Sequence, residues 1–270
     1  MTTAIKENVE NFQADAHFAK ITAWLSPPDP STNLNEARKL HYSGTGQWLL
    51  ESDRYQLWKM TPASFLWLYG IPGCGKTILS STVITDLQQH NGASLTLLYF
   101  YFNFTDKSKR STENAMLSLI CQLYHQDIVA RGVLDKIYAG ANGRPGIEKL
   151  KTTLTDMLGV SKEAWIVLDG LDECESRGQH AADGVMPWIK SIRSAVNVHL
   201  LVTSRPEQDI KSAIESWADA EQIIPLQSNL VADDIGAYID SKVNQMERWR
   251  DRPAIQQQMR TTLNSKADGM

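Results

Sequence analysis

The chain has 270 residues, 42% apolar and 21% charged, which is ordinary for a soluble globular protein and enough for one large α/β domain with a smaller unit attached. With 27 basic against 31 acidic residues and no basic block, it lacks the charge for a sequence-independent grip on a nucleic-acid backbone, so no nucleic-acid partner is expected. The most apolar stretch, Leu95 to Phe104, is about half the roughly 20 residues that span a bilayer, MTTAIKENVENF lacks a signal-peptide core, and the three cysteines, Cys74, Cys121 and Cys174, show no CxxC or CxxH spacing, so a cytoplasmic protein with reduced thiols and neither membrane span nor zinc site is expected.

From about Asn8 to Leu25, Phe12, Phe18, Ile21 and Leu25 fall at helical offsets, and SPPDPSTN then breaks the pattern. A second short helix, roughly Leu34 to His41, leads into YSGTGQWLL. From Ser64 short apolar runs alternate with helical stretches, which predicts a sheet of mainly parallel strands with helices on both faces. The predicted strands are 64–69, 95–102, 164–169, 198–204 and 222–226. Helices are predicted near Lys76 to Gln89, Thr112 to His125, Ile147 to Leu158, Asp183 to Ala195 and Glu207 to Ser216. After Leu226 the pattern is helical from about Ala232 to Arg248 and from Pro253 to Lys266, the proline suiting a first helical turn. The stop at KADGM, without a capping glycine-plus-loop or polar tail, reads as the end of a fragment of something longer or else as a natural end.

GIPGCGKT, Gly70 to Thr77, matches GxxxxGK[S/T], with an apolar strand before it and a helix after it. Its glycines, Gly70, Gly73 and Gly75, allow backbone conformations closed to bulkier residues, so consecutive N–H groups can turn toward phosphate oxygens. Ile71, Pro72, Cys74 and Ile78 belong to the same cradle, and the helix N-terminus adds partial positive charge. Lys76 would bridge the β and γ phosphates, and the Thr77 hydroxyl would ligate magnesium. WIVLDGLDEC supplies the second piece: a buried strand ending in Asp169, at the place of a Walker B carboxylate for Mg2+. Asp172 and Glu173 follow closely enough that either can orient or deprotonate an attacking water. LLVTSRP supplies the third. Arg205, after Thr203 and Ser204, reaches the ligand crevice as a γ-phosphate reporter or else makes a surface ion pair. SKAD, Ser265 to Asp268, looks like a guanine-reading motif but sits in a helical stretch at the chain end. Asp169 is followed by GLD rather than completing DxxG, so ATP/ADP is favoured over guanine nucleotides.

These residues together resemble the NACHT family of STAND-type P-loop NTPases, in particular fungal NLR-like proteins that join such a module to incompatibility or death-fold effectors and C-terminal repeats. GTGQWLL, GIPGCGKT, LDGLDEC, LLVTSRP and KADGM carry the resemblance, from about Gly44 to the end. It implies an ASCE/AAA+-like fold and a nucleotide-controlled switch. ADP would hold a closed monomer, and exchange for ATP would permit homo-oligomerisation for signal transduction. Residues 1–60 would be a helical adaptor, 61–228 the nucleotide-binding domain and 229–270 the start of a helical subdomain. By the same resemblance Lys76 and Thr77 hold phosphate and magnesium, Asp169 supports the metal, Asp172 and Glu173 position water, and Arg205 senses the γ-phosphate. Trp48 is either a contact to the base or part of the core. The ADP-clamping histidine of the family's winged helix and its sensor repeats have no counterpart in this sequence.

The competing function is a turnover enzyme, a P-loop ATPase or a kinase acting on a small acceptor. Such kinases usually carry an arginine-rich lid. The comparable stretch here is DKSKR, Asp106 to Arg110, which reads better as a solvated turn. A scaffold without catalysis conflicts with intact Lys76, Thr77 and Asp169. Slow hydrolysis is therefore the expected behaviour.

Overall fold

The computed structural model describes residues 15–90, 95–141, 143–177, 184–226 and 228–267. Phe12, Asp183 and residues 268–270, which end the SKAD and KADGM stretches, lie outside the described residues. The helices before the sheet are α1 over residues 15–25, α2 Ser31–Leu40, α3 Gln47–Leu50 and α4 Asp53–Met60. α1 buries Ile21 and Leu25, one helical turn apart, in the main core. The start of α2 is fastened by Lys109, whose ammonium donates to Thr32 Oγ1 at 2.6 Å and Asn33 Oδ1 at 2.5 Å. α4 was not expected, because DRYQLWKM buries only Tyr55 and Trp58 and so shows no sustained apolar period. Its start is set locally, by Ser52 Oγ accepting the Tyr55 amide.

The strands are β1 Phe65–Tyr69, β2 Thr96–Tyr101, β3 Ala164–Asp169, β4 Val198–Ser204 and β5 Ile223–Pro225. They form one sheet in the order β2-β3-β4-β1-β5, and every neighbouring pair is parallel. The fold is α/β, with the mainly parallel expectation resolved as wholly parallel. β3 and β4 are buried along their whole length, as centre strands covered on both sides must be.

α5 Lys76–His90 carries the chain from β1 across β4 and β3 to β2. The return toward β5 runs through α6 Thr112–Gln126, α7 Ile128–Ala139, α8 Ile147–Val160, α9 Val185–Arg193 and α10 Gln208–Glu215. Right-handed crossovers travelling in opposite directions place their helices on opposite faces. Two cores result. Phe65, Trp67, Phe100, Ile166, Leu168 and Val202 face α6 to α10, while Leu66, Leu68, Val167 and Leu201 face α4 and α5. The alternation along β1 and β3 is the period-two side-chain reversal of a strand.

α7 was missing from the predicted elements. Asp127 closes α6 with its backbone and, as N-cap of α7, accepts the amides of Val129 and Ala130 at 2.8 and 3.0 Å, so two helices meet at one residue without glycine or proline between them. α11 Ser228–Asn244 and α12 Pro253–Ala267 follow β5 and are joined by Arg260, which bonds Asp240 and Asn244. Among the described residues no helix is long and apolar enough to cross a membrane.

Candidate functional site

Gly70 to Gly75 link the end of β1 to the start of α5. Gly70 stands where a Cβ would come within 2.6 Å of Cys74 Sγ and 3.0 Å of Leu226 Cβ, so only glycine lets the loop leave the sheet there. Gly73 and Gly75 have φ of 83° and 91°, the left-handed region that side chains disfavour. The first helical amides, from Lys76 to Ile78, have no carbonyl one turn back inside α5, and they open the helix at its partially positive end. The Lys76 ammonium donates to the carbonyls of Gly70 at 2.7 Å and Ile71 at 2.9 Å, with Cys74 Sγ at 3.8 Å, so its side chain arches back over the loop. Ile71 is exposed, as is Pro72.

The strand order puts β4 between β3 and β1, and this brings a cluster together at their carboxyl ends. Asp169 closes β3 and is 5% exposed. It accepts hydrogen bonds from three hydroxyls: Thr77 at 2.8 Å on Oδ2, and Ser80 at 2.6 Å and Thr203 at 2.7 Å on Oδ1. Burial pushes its carboxyl above the ordinary aspartate value, against the pull of the hydroxyls of Ser80, Thr203 and Thr77 and the nearby Lys76 charge. Thr203 also accepts the Gly170 amide at 3.0 Å, so one hydroxyl fixes both the acid and the turn after it. That turn needs Gly170, whose φ is 73°.

Past Gly170 a short 3-10 turn, Leu171–Glu173, presents the two other acids. Asp172 is directed onto Arg205, accepting its backbone amide at 2.9 Å and its Nε at 3.0 Å, with side-chain exposures of 5% for the acid and 39% for the arginine. Glu173 accepts the Phe104 amide at 3.1 Å. Burial raises the Glu173 carboxyl, the Phe104 amide lowers it, and the charges of Asp172 and Asp169 push it up again. A polar recess of about 490 Å3 opens beside these groups, lined by Phe104, Arg110, Asp172, Glu173, Cys174, Glu175, Arg177, Arg205 and Glu207.

On another side of the loop lies an apolar cavity of about 370 Å3. It is lined by Gly73, Cys74, Gly75, Ile78 and Leu79 of the loop and α5, by Leu40, Tyr42, Thr45 and Gly46 from the segment before α3, and by Val231, Asp234, Ile235, Tyr238, Ile239 and Leu263 from the two helices after β5. Successive residues of the first turn of α5 thus serve different neighbours: Thr77 meets Asp169 and Ile78 meets the cavity. Trp48 does not line it. Its ring packs partly buried on the core, and its indole N–H donates to Asp234 Oδ2 at 3.0 Å, the same oxygen that takes the Gly46 amide at 2.8 Å.

The sequence-predicted residues therefore fall into three neighbourhoods: the loop with Lys76 and Thr77, the carboxylate Asp169 against it, and Asp172, Glu173 and Arg205 at the adjoining recess. Trp48 stands apart from all three. Ser80 was not singled out from the sequence, although its place three residues after Thr77 puts both hydroxyls on one helix face. Thr203 is legible in the sequence as a strand-end hydroxyl, but its partners Asp169 and Gly170 are not. Asp234, Tyr42 and Tyr238 carry no local signal, since the cavity lining comes from segments far apart in the chain.

Residues 44–205 match the family described as Nephrocystin 3, N-terminal. The chain is also 22% identical over 209 residues to the vegetative incompatibility protein HET-E-1 of Podospora anserina, covering 74% of this chain and 15% of that protein. Both agree with the resemblance to NACHT-type, NLR-like proteins that the motifs carry.

Proposed function

The chain belongs to the Nephrocystin 3, N-terminal family, and from that premise we propose that it is the ATP/ADP-binding module of a STAND-type signalling switch, with slow Mg2+-dependent hydrolysis controlling homo-oligomerisation. The observation that carries this reading is the 2.8 Å contact between Thr77, on the first turn after the glycine loop, and Asp169, at the end of a strand two positions away in the sheet. A hydroxyl and a carboxylate in that relation are the hard oxygen donors that magnesium accepts while it keeps phosphate and water as its other ligands. Among the described residues no group of three or more His, Cys, Asp or Glu side chains stands ready to hold a metal unaided. In this proposal the metal is held jointly by Thr77, Asp169 and the nucleotide.

Phosphates fit the loop because the free amides from Lys76 to Ile78 and the Lys76 ammonium all lie within one turn of helix. The base fits the apolar cavity that the same loop lines. Tyr42 and Tyr238 offer faces for stacking, and Asp234 offers an acceptor. When bound, Mg·ATP supplies the transferable phosphoryl group and the charge neutralisation for its loss. Glu173, half-buried and raised, takes up a proton from water more readily than an ordinary glutamate. Arg205 must leave Asp172, or share it, to reach a γ-phosphate. Its pairing thereby makes that phosphate compete with an internal partner. Division into a helical adaptor (residues 1–60), a nucleotide domain (61–228) and the start of a helical subdomain (229–270) belongs to the same proposal. Signalling of the vegetative-incompatibility kind is the corresponding cellular role, and because the chain spans 15% of that relative's length, the effector and sensor parts belong to the proposal only.

One observation favours turnover on a small acceptor: the 490 Å3 recess beside Glu173 and Arg205 is large enough to admit one. The test is to denature the purified protein, separate the released nucleotide by ion exchange, and measure steady-state hydrolysis. Retained ADP with turnover well below about 1 per second supports the switch. Absence of any nucleotide affinity refutes it, and rapid turnover that depends on an added acceptor favours the kinase reading.

A further inference from the structure

Among the described residues, β2 is an edge strand whose sheet neighbour is β3 alone. Residues that alternate along such a strand turn both N–H and C=O away from the sheet, leaving a template on which another strand can pair. Here Leu97 and Tyr99 are closed by side chains. Gln126 Oε1 accepts the Leu97 amide at 2.8 Å and its Nε2 donates to the Leu97 carbonyl at 2.8 Å. Gln122 does the same for Tyr99, at 3.0 and 2.9 Å. The spacing matches: two residues of strand advance about 6.6 Å, and four residues of helix about 6 Å. The order is reversed, Gln122 on Tyr99 and Gln126 on Leu97, so α6 runs antiparallel to β2 and each carboxamide occupies the place of a peptide group.

We propose that Gln122 and Gln126 act as a surrogate sixth strand that closes the β2 edge against antiparallel pairing with a second copy of this chain. The edge has the composition that needs closing. LTLLYFYFNF, Leu95 to Phe104, carries no charge, proline or glycine and is rich in strand-forming residues, so two copies can pair about a two-fold axis with apolar side chains in register. The opposite edge needs no such device, because β5 is three residues long and ends in Pro225. A groove of about 300 Å3 lined by Gln88, Leu95, Leu97, Tyr99, Gln122 and Gln126 runs beside the strand, so its backbone is reachable once the carboxamides are gone.

The test compares the 270-residue chain with Gln122→Ala/Gln126→Ala in nucleotide-free buffer, by sedimentation velocity over a concentration series and by amide exchange. The double variant is expected to self-associate with rising concentration where the parent stays monomeric, and to exchange the Leu97 and Tyr99 amides about tenfold faster when dilute. Adding Leu95→Lys, a charge at the mouth of the edge, is expected to return it to monomer. A double variant that stays monomeric at every concentration overturns the proposal, as does association that Leu95→Lys leaves untouched. Should circular dichroism show the double variant unfolded, Gln126→Ala alone, which opens only Leu97, is expected to associate more weakly, and its remaining monomeric is equally decisive against the proposal.

Discussion

Thr203→Val tests how the acid cluster is assembled. Valine keeps the shape of the side chain and removes a hydroxyl that makes two contacts: donation to Asp169 Oδ1 at 2.7 Å and acceptance of the Gly170 amide at 3.0 Å, both buried. Losing a hydrogen bond to a charged group costs about 1.5–3 kcal/mol, and stranding a buried amide costs about 1–3 kcal/mol. Together these give roughly 2.5–6 kcal/mol against a typical domain stability of about 5–15 kcal/mol. The loss should also depend on pH. Asp169 already lies above its ordinary value through burial, so its ionised form is disfavoured in the fold, and that penalty is absent below the unfolded-state value and grows as pH rises through the folded one. Removing one of three donors raises it further, so the gap between variant and parent should be smallest in acid and widest at neutral pH. Urea denaturation from pH 4 to 8 of the parent, Thr203→Val and the hydroxyl-retaining Thr203→Ser measures this. A valine variant within about 1 kcal/mol of the parent at neutral pH, with a gap that does not vary with pH, refutes the reasoning.

Lys76→Ala should lower affinity for fluorescent ATP at least about tenfold in a titration, since it removes the ammonium that arches over the loop; unchanged binding removes the phosphate assignment. Gly70→Ala should weaken both folding, by about 1–3 kcal/mol, and nucleotide binding, because its methyl meets Cys74 Sγ and the Leu226 backbone. Adding Cys74→Ala should recover only part of the loss in a thermal melt, as Leu226 remains in place. Arg205→Ala should narrow the ratio of ATP to ADP affinity and free Asp172; an unaltered ratio by calorimetry returns this pair to a purely structural bond. Hydrolysis should fall in acid beginning above the ordinary glutamate range, because the raised Glu173 is already protonated there, and Glu173→Gln should abolish turnover, keep nucleotide binding and stabilise the fold at neutral pH, where the native charge is disfavoured. An acid limb at the ordinary glutamate value separates Glu173 from the reaction.

Much of the framework was legible locally. Five apolar runs bounded by polar turns read as strands because a centre strand covered on both faces must be apolar throughout, and 198–204 and 164–169 emerge with the predicted bounds. The loop was legible for a similar reason: glycines at fixed offsets before a lysine and a threonine are demanded by backbone geometry that no other residue satisfies, as Gly73 and Gly75 show. α7 escaped because Asp127 serves two helices at once, and α4 because its capping, rather than its periodicity, defines it.

What the sequence alone determined, then, are features whose cause lies within a few residues: strand composition, loop conformation, and the identity of the acid that ends β3. Only the tertiary structure decided which of these meet. The order β2-β3-β4-β1-β5 inserts Thr203 between two motifs that sit far apart in the chain, turns Asp172 onto Arg205, and brings Asp234 to Gly46 and Trp48. Strand order is set by the collective burial of two helical layers and by right-handed crossovers, a balance summed over the whole chain that no single stretch encodes.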